Sequence, residues 1–308
     1  MRNEGHEYNG LIGADGDGRA LAAFLAERYP HSTLEEWRRR IADGRVRLDG
    51  RVASAEARLR AGQRLSWLRP PWREPDAPAT FGLLYRDQAL LAVAKPAGLP
   101  TLPGAGFLQH SLLHRVRLLD PRASAVHRLG RWTSGLVLFS VRPDARRELS
   151  LQWAERRVGK RYRALAAGEP EFDQRTVDAP IGPVPHPVLG DVHAATEAGK
   201  PSRSHVKVLE RRDGAFLCDV DIVTGRPHQV RVHLAAAGHP LVGDPLYGPG
   251  GGLLVGSRAL PGDPGYRLHA AELSFTHPLD GRPLTLRCAP PPDLRGETDQ
   301  PCLRSTSS

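Results

Sequence analysis

Residues 135–157 read GLVLFSVRPDARRELSLQWAERR, and two periodicities meet inside that stretch. The run GLVLFSVR is almost continuously apolar, the pattern of a strand covered on both faces. From Pro143 the period changes. Proline suits a first helical turn, and Ala145, Leu149 and Trp153 then recur every four residues as an apolar stripe. Downstream, Lys160, Tyr162 and Ala164 alternate with their neighbours as a strand, and so do Phe216, Cys218, Val220 and Ile222. Upstream, ALLAVAKPAGLP (residues 89–100) reads as a buried strand closed by a Pro/Gly turn. Helices inserted among short strands with long irregular connections predict an α+β domain on a mostly antiparallel or mixed sheet.

The chain has 308 residues, enough for two units. Residues 70–79, PPWREPDAPA, hold four prolines and can continue neither a helix nor a central strand, so residues 70–80 are the expected linker. Before it, Leu21, Phe24, Leu25 and Arg28 lie at helical spacing, and Thr33-x-x-Glu36 offers a capping box for a second helix ending at Gly44. Val46 and Leu48 alternate with arginines, and Asp49-Gly50 signals a two-residue hairpin. Residues 18–69 thus form a small unit that resembles the alpha-L RNA-binding module, with Arg38, Arg39, Arg40, Arg45 and Arg47 around its corner. The resemblance implies RNA contacts at Arg38 and Arg45. Three successive arginines, spread over ~200° of a helix, fit a merely solvated surface as well. Residues 1–17 and 292–308 lack apolar periodicity and read as disordered tails.

Composition narrows the function classes. Lys+Arg number 43 against 34 Asp+Glu, a formal net charge of +9, which makes a polyanion the default partner. Lysine appears only at Lys95, Lys160, Lys200 and Lys207, so the charge is carried by arginine, whose planar fork grips phosphate and stacks on bases. Cys218, Cys288 and Cys302 have no paired spacing, which points away from a cysteine zinc site and a disulfide framework. Without an apolar leader or a run of ~18 apolar residues, a cytoplasmic, non-membrane protein is expected. There is no GxSxG elbow, Walker loop or HExxH, and the five-residue step from His228 to His233 puts no two ligands on one helical face. The glycines from Gly248 to Gly252 lack a following Lys-Ser/Thr and read as a surface loop.

Four segments taken together resemble the RluA-type RNA pseudouridine synthase family. They are LLYRDQALLAVAKPAGLPTLPG (83–104), HRLGRWTSGLVLFS (127–140), KRYRA (160–164) and TGRPHQVRVHLAAAGHPLVGDPLYG (224–248), with weaker support from residues 199–210 and 268–286. The likeness spans residues 81–291 and implies a pseudouridine synthase-like catalytic domain that needs neither metal nor organic cofactor. Such an enzyme extrudes a uridine, breaks its N-glycosidic bond, turns the uracil and rejoins it through carbon 5. Flipping costs a few kcal/mol, which phosphate contacts and stacking side chains offset.

By resemblance Tyr162 lies against the uracil, and Arg231 meets the catalytic carboxylate and a substrate phosphate. His127, Arg128, Arg131, Arg226, His228 and Gln229 are the implied RNA contacts. HQVRVHLAAAG (228–238) reads as a helix with Val230, Leu234 and Ala237 inward, His228 and Arg231 sharing a face, and Gly238 as its stop. The turn Thr224-Gly225-Arg226 before it would leave helix amides free for phosphate.

Where the family keeps its nucleophilic aspartate, before Thr-Ser-Gly, this chain has Gly130. Glycine cannot attack carbon 1′ or carbon 6, nor stabilise charge on the ribose. Other acids are Asp120, Asp144, Asp219, Asp221 and Asp244, and Trp132 could stack on a base or fill the space left by the lost carboxylate. The expected function is uridine-to-pseudouridine isomerisation in structured RNA, ribosomal or transfer RNA, by a monomer. The alternative is a catalytically silent RNA-binding protein, an assembly factor or chaperone.

Overall fold

The computed structural model of the chain describes residues 2–297 and 299, and it divides into two compact units, Met1–Glu74 and Pro75–Ser308. The division falls inside the proline-rich run.

The first unit comprises β1 (His6–Leu11), α1 (Leu21–Arg28), α2 (Leu34–Ala42), β2 (Val46–Leu48), β3 (Arg51–Val52) and β4 (Arg64–Arg69). Its sheet runs in the order β1-β4-β2-β3. The capping box forms in both directions: Glu36 N donates to Thr33 Oγ1 (3.2 Å) and Thr33 N to a Glu36 carboxylate oxygen (2.7 Å). Asp49 and Gly50 both have positive φ (50° and 79°), the geometry a two-residue hairpin demands. Leu21, Phe24, Leu25, Trp37, Ile41 and Val46 make the core.

The expected N-terminal tail is corrected here. Residues 6–11 pair antiparallel with the whole of β4, and Asn3 Nδ2 donates to a Glu74 carboxylate oxygen (2.8 Å). β1 is an edge strand whose six residues are all exposed, so backbone hydrogen bonds hold it and no apolar period marks it.

In the second unit β5 (Gly82–Arg86), β6 (Leu90–Lys95), α3 (Leu112–Leu119), β7 (Ser124–Ala125), β8 (Ser134–Ser140), α4 (Pro143–Ala154), β9 (Gly159–Ala167), β10 (Gln174–Val177), β11 (Ile181–His186), β12 (Gly190–Ala195), β13 (Ser204–Arg212), β14 (Ala215–Ile222), α5 (Gln229–Ala236), β15 (Leu268–Thr276) and β16 (Pro283–Arg287) follow in turn. The main sheet is ordered β10-β13-β14-β9-β15-β8-β6-β5, with β7 on β8 and β16 on β15, while β11 and β12 form a separate hairpin. Every pairing is antiparallel except β15 with β8, so the expected α+β, mostly antiparallel sheet is present.

The apolar run of β8 is explained by its two covers. Val137 and Phe139 pack with Leu112 and Val116 of α3, whereas Leu136 and Leu138 pack with Ala145 and Leu149 of α4. α5 is sandwiched as well: Val230 and Leu234 join the sheet core, while Val232 and Ala235 join the hairpin's Ile181 and Ala194. That corrects the amphipathic reading of α5, because Gln229, Arg231 and His233 are buried along with its apolar residues. Residues 292–297, expected as tail, are held too. Leu294 is buried, and Arg212 donates to the carbonyls of Asp293 and Arg295 (3.1 and 2.6 Å). The rest of that expected tail, Thr298 and residues 300–308, lies outside the described residues.

Gly135 pairs with Ala270 in the parallel step between β8 and β15. It has φ +112°, and a Cβ there would stand 2.3 Å from the Ala270 carbonyl oxygen. Gly135→Ala is therefore expected to lower unfolding stability by about 2–5 kcal/mol, from strain and overpacking together, in a urea titration. Gly130→Ala, with ordinary φ and only the side-chain hydroxyls of Tyr266 and Thr133 to meet (2.9 and 3.4 Å), should cost far less.

Candidate active site

The loop that carries Gly130 is pinned from below. Lys95, at the end of β6 and 1% exposed, donates from Nζ to the carbonyls of Pro96, Leu99 and Arg131 (2.9, 2.7 and 2.9 Å). Burial, and then the charge of Arg131, pull its pKa down to about 7. Thr101 Oγ1 donates to the Leu129 carbonyl (3.0 Å) and accepts from Leu129 N (3.1 Å). Arg131 Nε donates to the Gly98 carbonyl (3.0 Å), and its guanidinium lies 4.6 Å from the Phe107 ring centroid. A buried lysine closing an apolar strand was the signal in the sequence for this clamp.

Gly130 itself is exposed, and the nearest atom to a Cβ built on it is the hydroxyl of Tyr266, at 2.9 Å. Tyr266, just before β15, touches Thr133 Oγ1 through that hydroxyl (3.3 Å), and its ring lies 4.1 Å from the Arg231 guanidinium carbon. Sequence reading missed Tyr266, which sits in a segment without periodicity.

Arg231 is 2% exposed in its side chain and Asp244 1%. They form a bidentate pair, Nε and a terminal nitrogen each 2.7 Å from a carboxylate oxygen, and Arg231 also donates to the Pro261 carbonyl (3.1 Å). Burial opposes the guanidinium charge, but the hydrogen bonds and charge of Asp244 outweigh it and raise the Arg231 pKa. Asp244 further accepts from Leu246 N and Tyr247 N (2.9 and 3.2 Å). Arg231 therefore meets Asp244 instead of a carboxylate at position 130. The other acids are engaged as well: Asp120 with Arg122, Asp144 with Arg142, Asp219 with Arg163 and Asp221 with Arg161.

Tyr162, from β9, packs against two clusters, one holding Val230 and Tyr266, the other Leu129 and Ala270. Its hydroxyl has no protein hydrogen bond among the described residues, and burial raises its pKa to about 12, so it remains a phenol. Trp132 fills space beside the same cluster and lies 3.4 Å from a Cβ built on Gly98, which is the packing role.

His228 adopts a left-handed conformation (φ 57°) before α5. Tyr247 spends its one proton on the His193 carbonyl (2.6 Å), so it accepts from His228 Nδ1–H (2.6 Å) and leaves Nε2 as a free acceptor. Burial, then the charge of Arg231, press the His228 pKa down to about 3. Arg128 is exposed without a protein partner among the described residues, close enough for its charge to reach His228.

Three residues expected at RNA contacts make hydrogen bonds within the protein. His127 Nε2 accepts from Leu138 N (3.0 Å), and its ring stacks on Trp153 of α4 at 5.4 Å. Gln229 is saturated: Oε1 accepts from Thr224 Oγ1 and Arg226 N, and Nε2 donates to the Arg203 carbonyl and Ser204 Oγ. The amide of Arg226, expected free for phosphate, is thus already bonded, while Arg226 Nε is buried with no hydrogen-bond partner among the described residues. Arg131 serves the loop clamp. Arg38 is exposed, and Arg45 stands 3.6 Å from Asp43. A concavity in the first unit, lined by Glu7, Asn9, Leu11, Asp49, Arg64 and Ser66, offers two carboxylates against one guanidinium, the wrong balance for a phosphate.

Gly130, Thr133, Tyr162, Tyr266, Arg231 and His228 thus belong to one neighbourhood of hydroxyls, a buried cation and a neutral imidazole, with Arg128 at its rim. Residues 89–236 match the model of a family described as RNA pseudouridylate synthase. An uncharacterised RNA pseudouridine synthase from Synechocystis is 40% identical, covering 88% of this chain and 94% of that protein. The chain belongs to the RNA pseudouridylate synthase family. A family member from Nitrosomonas europaea, ribosomal large subunit pseudouridine synthase D, is 34% identical over 90% of this chain and 81% of its own. Among solved structures, human RNA pseudouridylate synthase domain containing 1 matches with a TM-score of 0.54 and 28% identity, over 71% of this chain and 87% of that one.

Two outcomes follow for the family site in this chain. Asp244→Asn strands the Arg231 charge in the interior and should cost about 3–5 kcal/mol in chemical unfolding. His127 and His269, each pushed to about 4, and His228, pushed to about 3, are neutral in the fold, burial being the main cause. The unfolded chain takes up these protons first, from the ordinary value of 6.5 downward, so stability holds above that pH and falls as pH drops toward 4. Urea midpoints measured across that window should decline, and His127→Gln should flatten part of the decline.

Proposed function

We propose that the protein isomerises uridine to pseudouridine in structured RNA, with ribosomal RNA as the first candidate and transfer RNA as the second. The observation that carries this is the run of contacts from Gly130 through Tyr266 to Arg231, with Tyr162 packed against it, and Gly130, Tyr162 and Arg231 lie in the segment that matches the family. The name of the Nitrosomonas relative supports a ribosomal substrate. The first unit, with exposed Arg38, would be an RNA-binding module.

In this reading the extruded base lies against Tyr162, whose phenol donates a hydrogen bond to it, and His228 Nε2 accepts one from it. Arg128 supplies a phosphate contact at the rim. Residue 130 takes no covalent part, so the polar oxygen nearest its place is the Tyr266 hydroxyl. The glycine, together with the pairing of every alternative acid named above, favours a second reading: a protein that binds and extrudes uridine without reacting it.

Tritium release from RNA labelled at uridine carbon 5 separates the two. The natural protein is expected to release tritium, Gly130→Asp to release it faster, and Tyr162→Phe to lose about a hundredfold or more without loss of stability. Since His228 at about 3 and Tyr162 at about 12 both lie outside the range, neither should impose a limb on the pH profile between about 5 and 10. Release by Gly130→Asp alone selects the silent reading. No release by either protein from total cellular RNA rejects isomerisation.

A further inference from the structure

The antiparallel register of β1 and β4 sets Tyr8 opposite Trp67 and His6 opposite Arg69, so these four side chains share one face of the first unit's sheet. That face also carries Val46 and Leu48, opposite Trp67 and Leu65, and is the one packed with helices. β1 extends beyond the helices as an edge, and Tyr8 is 41% exposed there. Its ring stacks on Trp67 at 5.2 Å and 17°, and His6 meets it edge-on at 4.6 Å. Arg69 then lies 3.7 Å from the Trp72 ring centroid, and Arg40 of α2 lies 4.6 and 5.1 Å from the rings of Trp37 and Trp67.

Charge around this row is unbalanced. Arg40 has its pKa lowered by burial first and then, against Glu36, by the positive charges of Arg39, Arg69 and Arg45. Arg39 and Arg69 have no carboxylate partner among the described residues, and Arg45 has only Asp43 at 3.6 Å. Four guanidiniums that repel one another beside a half-exposed aromatic stack fit a partner that brings both negative charge and flat rings. Single-stranded RNA brings both, since its phosphates answer the arginines and its unpaired bases have free faces for stacking. A duplex hides those faces, and an acidic protein lacks them.

We propose that the row Tyr8, His6, Arg69 and Trp72, backed by Trp67 and Arg40, is a stacking platform for unpaired nucleotides of the RNA substrate. The proposal rests on the reading of this protein as one that acts on RNA, and concerns a surface other than the site around Gly130. Tyr8 provides the ring face, and the arginines hold the phosphates on either side of the stacked base.

Fluorescence anisotropy on the full chain tests it with two labelled probes, an oligouridylate of about twelve nucleotides and a blunt RNA duplex of about 16 base pairs. Tyr8→Ala should weaken oligouridylate binding about tenfold or more, and Tyr8→Phe should restore it to within about twofold. Duplex affinity should not move. The slope of log affinity against log salt should stay the same in Tyr8→Ala, because no charge is removed, but fall by about 0.7 in Arg69→Gln. Equal affinity of Tyr8→Ala and the natural protein for oligouridylate overturns the platform, as does a parallel loss on the duplex. A natural protein that dimerises, and loses the dimer in Tyr8→Ala, would instead make this row a self-association face and also overturns it. Failure of the natural protein to bind either probe rejects the RNA reading as well as the platform.

Discussion

A fully buried guanidinium is tolerated only where its charge and its donors are met, and in this fold Asp244 does both for Arg231. The pair fixes the geometry of the site. It anchors α5 to the turn that carries Leu246 and Tyr247, whose amides share the same carboxylate. Its flat upper surface supports the Tyr266 ring, and the Tyr266 hydroxyl then reaches the place beside Gly130. Tyr247, whose ring centroid lies 4.9 Å from the guanidinium carbon, fixes the tautomer of His228. Remove the ion pair, and the positions of two tyrosines and a histidine lose their common reference.

Against that fixed floor, position 130 contributes no side chain. The loop is still held by Lys95 and Thr101, and Thr133 still faces inward. The polar atoms nearest a Cβ built at position 130 are the hydroxyls of Tyr266 and Thr133. Asp219 and Asp221 serve Arg163 and Arg161 on β9, and Asp244 is committed to Arg231. Family membership therefore concerns the fold, and the glycine at 130 concerns the local chemistry.

Much of the architecture was legible because burial imposes period. β6, β8, α4, β9, β14 and the capped α2 all announce themselves through apolar spacing or an end signal such as Thr33-x-x-Glu36. β1 was invisible for the converse reason, since an edge strand with every residue exposed carries no pattern. Residues 292–297 are held by arginine bonds to backbone carbonyls, which leave no mark in their own sequence. Site residues were legible as types but not as roles. His127 and Gln229 are polar residues in the matching motifs, yet each is spent on the protein's own backbone, and only the fold reveals what a polar side chain faces. Tyr266 and Gly130 meet only through the parallel step from β8 to β15, a tertiary contact beyond any local reading.

The central claim is that an extruded uridine is received against Tyr162 and His228, beside Gly130. Photo-cross-linking with RNA carrying 4-thiouridine, followed by peptide mass spectrometry, asks which residues touch the base. Adducts on peptides containing Tyr162, Trp132 or Tyr266 are the result expected. Efficient adducts confined to the first unit, with none on those peptides, would contradict the claim.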